Sequence, residues 1–494
     1  MIRGGRERVA ALASRADLAL ARLASWRAVT VLVPLLVCAF HWRAARPGMA
    51  FVGADLRYFF FGLREAVAEA LRHGALPGWQ RGIFVGYPLA GDPQSAVFDL
   101  GTLLTLPWDA PRALTLSTLL HLCVGGWGMA FWMRVRGLSP AAGLLAAVLF
   151  SLGAKQTVHL QHWIFAASCA WWPWMLAGLD GFARRGRGRF LLLTAIASAC
   201  SWFGGAAQMA YFGTLLAGAH ALVLAPSLWR RRPADALLAL AAAPLGLLLA
   251  GPMFLPVREL ASLGPRGAGV DYAFATSWKW PSRWGFALFV LPRAYGGGWR
   301  LSEMNLWEAT GYLGLLPLGL AAALSLVRRG IWHFALLAVV SVWLCFGEDS
   351  WLGLHRLFYD WLPGYGSFRN PTRSLMVTSL VSALVAAEGL EALRAPAVDA
   401  RDRAWRKLAI RASVALALLG AAAVVLPDLK GFPFNAGRAQ ANARVAVGLV
   451  VAALLWIAAA ARWPRVRTGA AWALGAAALA FADCYLAFGD PGDA

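Results

Sequence analysis

The sequence predicts an all-α polytopic integral membrane protein with about 13 transmembrane helices. Three observations carry that reading. Of 494 residues, 60% are hydrophobic and only 14% charged, whereas a soluble domain is about a quarter charged. Separate apolar stretches reach the roughly 20 residues needed to cross about 30 Å of hydrocarbon. Basic residues fall in short clusters at alternate hydrophobic boundaries: Arg134 and Arg136, Arg184 to Arg189, Arg230 to Arg232, Arg328 and Arg329, Arg394 to Lys407, and Arg462 to Arg467. That alternation is the positive-inside pattern. It places the clusters and the Arg-rich N-terminus (Arg3, Arg6, Arg8, Arg15) in the cytoplasm, and the C-terminus outside. The net charge of +21 therefore sets orientation. A nucleic-acid face would need those clusters to converge on one soluble surface, so membrane lipids are the expected partners and nucleic acid is not.

The chain reads as one membrane domain over residues 1–494. A basic arm, residues 1–21, precedes a first span near 21–40, read as a retained anchor. Residues 43–112 form a long first outer loop. Within it, 63–71 mixes apolar and charged residues at helical spacing, which predicts a helix on the membrane interface, and 100–107 is apolar but too short to cross. Further spans are expected near 114–133, 141–158, 163–179, 190–203, 206–224 and 236–256. A second outer loop, 258–306, is rich in Trp, Arg, Gly and Pro. Spans near 308–327 and 331–347 lead to a third outer loop, 348–373, and the last four spans fall near 374–390, 408–426, 445–461 and 471–486. The six cysteines lie in or beside apolar spans with no close pairing, as expected of small buried hydrophobes.

Polar residues that such a chain carries at membrane depth are costly, and so are candidates for function. Asp55 stands just beyond the first span, where a carboxylate can act as general base on a hydroxyl or help hold a metal; a solvated loop Asp paired with Arg57 is the plainer account. Asp92 and Gln94 close a turn, Gly86-Tyr87-Pro88-Leu89-Ala90-Gly91-Asp92-Pro93-Gln94, and offer an acceptor and an amide to a hydroxyl-rich ligand or a metal, although the turn needs neither side chain to form. Lys155, His159 and His162 crowd the outer end of the third span, either lining a cavity or snorkelling to the interface. Glu303 and Glu308 flank the start of the eighth span, where the helix dipole alone favours an acid. Arg369 and Arg373 straddle Pro371 and suit a phosphate through bidentate bonds, or an ion pair with a loop carboxylate. No tight metal-ligand spacing is present; a divalent ion is compatible with these residues but not required by them.

Several separated pieces, in order, carry a resemblance: Gly53-Ala54-Asp55 before Tyr58, Phe59 and Phe60; Gly74, Pro77 and Trp79 leading to Gly86-Tyr87-Pro88 and Asp92-Pro93-Gln94; Trp307-Glu308-Ala309-Thr310-Gly311-Tyr312-Leu313-Gly314; Phe368-Arg369-Asn370-Pro371-Thr372-Arg373; and Ala482-Asp483-Cys484. In these the chain resembles the bacterial membrane proteins called YfhO-like, within the GT-C glycosyltransferase superfamily. The resemblance implies a GT-C-like bundle in the bacterial cytoplasmic (inner) membrane that moves a sugar from a polyprenyl-phosphate donor to an extracytoplasmic glycan or lipid-linked acceptor, and the mechanism expected is an inverting transfer. It assigns Asp55 as the catalytic carboxylate, and Arg369 and Arg373 to the donor phosphate. Two departures stand out. Many relatives continue beyond the last Asp-containing span, and a common Tyr-Pro is replaced here by Phe98-Asp99. Acceptor recognition is therefore expected to differ or to come from a protein partner. Two other functions fit the same residues: a transporter of polyprenyl-linked glycan or lipid, and a non-catalytic scaffold in a membrane complex.

Overall fold

The computed structural model describes residues 24–82, 85–264, 269–280, 283–289, 306–314, 330–394 and 469–488, with isolated positions 404, 407 and 411. The N-terminal arm, Glu303, most of the expected eighth span, all of the eleventh but position 411, and the whole of the twelfth lie outside the described residues. Within them the chain is helical; the one β contact is an isolated bridge, Gln80 to Tyr87.

Helix α1, Trp26–Phe40, starts where the Ser25 hydroxyl accepts from the Ala28 N–H at 3.2 Å, a standard way to satisfy an orphan donor. In the first loop, α2 (Phe61–Arg72) and α3 (Leu100–Leu104) follow. The expected segment 63–71 does form a helix, and its apolar face is covered by protein: Leu63, Ala66 and Val67 pack with Leu89 and Val97 of the same loop. Helices α4 (Ala110–Arg136) and α5 (Pro140–Leu152) form a hairpin. Gly137, at φ +84°, closes α4, and Ser139 with Pro140 opens α5, the Gly-out and Pro-in asymmetry of helix ends.

Three expected spans are each divided. The third breaks at Gly153, between α5 and the short helix Ala154–Val158. The fourth splits into α6 (Trp163–Cys169) and α7 (Trp172–Arg185), because Pro173 has no N–H for the carbonyl one turn back. After α8 (Arg189–Phe203) and α9 (Ala207–Arg231), the seventh splits into α10 (Pro233–Leu249) and α11 (Gly251–Leu263), bent by 69°; Pro252 stands at the break. Later helices of eight or more residues are α12 (Trp332–Leu344), α13 (Leu354–Trp361), α14 (Leu375–Arg394) and α15 (Ala470–Phe488). Residues 310–314, expected to begin a span, are not helical. Five helical stretches among the described residues are long and apolar enough to cross a membrane, or six with the bent pair.

At the centre lies α5, packed against α1, α4, α14 and α15. Its small residues Ala142, Gly143, Ala146 and Ala147 are buried, as are Ala473, Ala476, Ala477 and Ala480 of α15. Small side chains let membrane helices approach closely enough for dispersion to hold them. One ionic network ties the other end of the bundle. Arg136 of α4 donates to Asp180 of α7 at 2.9 Å and to Glu388 of α14 at 2.9 Å. The Trp132 indole donates to Asp180 at 2.8 Å, and His220 of α9 lies 3.0 Å from Asp180 and 2.9 Å from His333 of α12.

Candidate functional site

The first loop meets the turn before α6 at Gly53, which lies against the Gln161 side chain with no room for a Cβ. That approach sets Asp55, half exposed at 51%, beside His162, with Oδ2 and Nε2 2.8 Å apart. No ion pair joins Asp55 to Arg57 among the described residues, and the Arg57 guanidinium sits over the Tyr58 ring instead. The hydrogen bond with His162 is the strongest influence on the Asp55 carboxyl; partial burial opposes it, and the net effect holds the group below its ordinary value of 3.8. His162 Nδ1 in turn lies 3.3 Å from His159 Nδ1. Burial drives the His159 imidazole well below its usual value, so it stands neutral and can serve as donor or acceptor according to tautomer.

His159 Nε2 is 3.9 Å from Glu308 Oε2. Glu308 lies on the short helix Leu306–Ala309, outside the described helices long enough to span a membrane, and only 2% of it is exposed. Burial by itself would raise its carboxyl. Arg373 overrides burial and keeps the group well below the carboxylate range. Arg373 donates to Glu308 from Nη2 at 2.8 Å and from Nε at 3.1 Å, and to Gln208 Oε1 from Nη1 at 3.2 Å, without using every N–H of the guanidinium. Its cation sits 4.9 Å above the Phe165 ring.

Backbone geometry explains how the third loop delivers these groups. Asn370 takes a left-handed conformation, φ +60°, which Asn tolerates better than most residues. The turn aims its Nδ2 at Glu308 Oε1, 2.9 Å away, and Pro371 then opens the turn that carries Arg373. Arg369, on the same turn, lies over the Phe274 ring at 5.2 Å, and its carbonyl accepts from Gln208 Nε2 at 2.8 Å. Lys155 anchors the Glu308 segment from the other side, with Nζ donating to the carbonyls of Glu308 and Trp307 at 2.7 and 3.2 Å.

The structure therefore brings Asp55, Lys155, His159, His162, Glu308 and Arg373 into one neighbourhood at the ends of α5, α6 and α14, whereas Arg369 joins it through its backbone carbonyl and turns its guanidinium to Phe274. Asp92 serves its own turn: Oδ2 accepts from the Tyr87 hydroxyl at 2.6 Å and Oδ1 from the Gln94 backbone at 2.9 Å. The closing Asp483 accepts from the Tyr312 hydroxyl at 2.5 Å, fastening α15 to the 310–314 segment. No group of three or more His, Cys, Asp or Glu among the described residues converges as metal ligands.

Gln208 and Asn370 are members of this neighbourhood that the candidate set from sequence lacks. Gln208 interrupts an apolar run, and that alone marks it as a polar group at depth. The sequence reading also passes over a buried trio behind α2. Asp99 Oδ1 lies 3.1 Å from His121 Nε2, and Arg64, buried at 4% exposure, stacks over Trp163 at 4.9 Å.

No known protein family matches the chain, and no curated protein matches it. Among solved structures it is similar to ArnT from Cupriavidus metallidurans. The apo crystal structure superposes with a TM-score of 0.50 at 16% identity, over 94% of this chain and 77% of that one. The crystal structure of ArnT bound to undecaprenyl phosphate gives 0.47 at the same identity and coverage. The likeness is one of fold: a bundle of apolar helices arranged as in ArnT, in keeping with the helices here that are long and apolar enough to cross a membrane.

Proposed function

We propose that the protein is a GT-C glycosyltransferase that moves a sugar from a polyprenyl-phosphate donor to an extracytoplasmic acceptor. The narrower YfhO-like kinship rests on the ordered sequence motifs and is part of this reading. The observation that carries it is a run of polar side chains: Asp55 bonds to His162 and His162 to His159, and His159 comes within 3.9 Å of the Glu308–Arg373 pair. It sets an exposed carboxylate at one end and the Arg373 guanidinium at the other, on the face where the sequence pattern puts the outside.

In this reading Asp55 accepts the proton of the acceptor hydroxyl as the oxygen attacks the anomeric carbon, and the sugar–phosphate bond breaks from the opposite side. His162 holds Asp55 in its charged form until attack and orients it. Arg369 and Arg373 meet the phosphate as its negative charge grows on departure. Electrostatic placement of this kind is commonly the largest single contribution to such catalysis, and Glu308, Asn370 and Gln208 fix the Arg373 fork in advance. The fold's similarity to ArnT, which has been crystallised with undecaprenyl phosphate, makes a lipid-linked donor the natural class.

Asp55→Asn is expected to lower transfer on the order of 10²–10⁴-fold, the usual worth of a positioned general base, with membrane insertion unchanged. Turnover equal to wild type would remove the assignment. Mass spectrometry of co-purified lipids separates this reading from transport: incubation with acceptor converts a polyprenyl-phosphate sugar to polyprenyl phosphate in a transferase and leaves it whole in a transporter.

A further inference from the structure

Helix α4 begins beside the first loop, where the Phe51 N–H donates to Thr115 Oγ1 at 2.9 Å, and ends at Arg136, the far end of the bundle from Asp55. There a cavity of about 550 Å³ opens between α4 and the α7–α8 turn. Phe131, Arg134, Arg185, Arg189, Phe190 and Leu193 line it. Arg185 and Arg189 lie over the Phe190 ring at 5.3 and 5.4 Å, and Arg134 over Trp26 at 5.8 Å. None of the three has a carboxylate partner among the described residues. Their neighbour Arg231, by contrast, is taken up by the Ala183 carbonyl at 2.6 Å.

The positive-inside rule asks only for cationic residues on this side. It does not ask three guanidiniums to share one cavity, nor does it account for what adjoins them. Arg189, Leu192, Leu193 and Ile196 fall on one face of α8 at helical spacing, and Leu192 and Ile196 are 58% and 45% exposed. On the α4 side Phe131 stacks with Trp174 at 5.3 Å. An apolar track thus runs from the guanidiniums towards the middle of the membrane. A free anion has no use for the track, and a neutral lipid has none for the arginines. Arginine forks match phosphate oxygens bidentately, and basic pockets between helices on this side suit anionic head groups.

We propose that this cavity holds the phosphate of an anionic phospholipid of the cytoplasmic leaflet, with one acyl chain lying along α8. The site is independent of the transferase reading, since none of its residues belongs to the Asp55 cluster. The test is native mass spectrometry of the full chain released from detergent, with dioleoylphosphatidylglycerol or dioleoylphosphatidylcholine added. Retention of the glycerol lipid is expected to exceed that of the choline lipid by about tenfold. Arg185→Gln with Arg189→Gln should abolish that preference, while Arg230→Gln with Arg232→Gln, which removes the same charge outside the cavity, should keep it. Equal loss in both pairs, or none in the first, overturns the proposal. Should the glutamine pair fail to insert, Arg185→Lys with Arg189→Lys retains the topogenic charge and is expected to weaken retention; unaltered retention there counts against the site. Complete displacement of the lipid by millimolar inorganic phosphate would also overturn it.

Discussion

His162 is the residue that decides what Asp55 can do. A half-exposed carboxylate without a partner would titrate near 3.8, whereas the bond to His162 lowers it. Because the folded value is depressed, the charged form survives as pH falls through 3.8 and is lost only below the shifted value. If Asp55 sets the acid limb of kcat/KM, His162→Phe should move that limb to higher pH, since the stabilising bond goes while the opposing burial remains. A limb that stays in place in a pH profile of the variant would show that Asp55 does not depend on His162. The candidate residues themselves were legible in sequence because charged and amide groups stand out against a chain that is 60% hydrophobic. Their partners were not. Nothing in local spacing can say that Arg373 meets Glu308 rather than a phosphate, or that His162 rather than Arg57 takes Asp55, because those pairs close over loops that only the fold brings together.

Helix breaks are what aim the side chains. The third span does not run straight from Pro140 to Val158: it stops at Leu152, passes through Gly153 in an extended conformation, and resumes at Ala154. That break turns Lys155 towards the Glu308 carbonyl and leaves His159 and His162 facing the first loop. A Cβ on Gly153 would collide with the Leu149 carbonyl, so the backbone would have to shift. Gly153→Ala should therefore reduce transfer by at least about tenfold, in line with the cost of displacing catalytic groups by an ångström or so, while the protein still inserts and purifies. Activity at the wild-type level would mean that the break does not set the site. Hydropathy marks where apolar stretches lie but not where they bend, since composition is blind to which carbonyl lacks its N–H. Pro173 and Pro252 were visible in the sequence; the splits they produce became evident only when neighbouring helices packed around them.

Across the whole molecule, the bundle is pinned far from the candidate site by Arg136, which joins α4 to α7 through Asp180 and to α14 through Glu388. Removing the shared cation leaves two buried carboxylates facing each other, and breaking a buried pair in this way costs about 3–5 kcal/mol. Arg136→Gln should lower the thermal unfolding temperature in detergent well beyond the effect of Arg232→Gln at the exposed end of α9. Equal melting of the two variants would count against a structural role. The membrane class and the helical bundle were legible from composition and charge alternation, which report the solvent a chain is built for. The pinning network was not, because Arg136 reads in sequence as one more cytoplasmic arginine.

The distribution of the Asp55 cluster along the chain has a consequence for biosynthesis. Its members come from the first loop, the end of the third span, the 306–309 segment and the turn before α14. A ribosome threading this protein into the bilayer exposes Asp55 early, but the arginine that completes the cluster emerges only when most of the polypeptide has been made. Any chemistry that depends on the assembled cluster is therefore silent in every truncated or half-inserted intermediate, and begins with the arrival of Arg373.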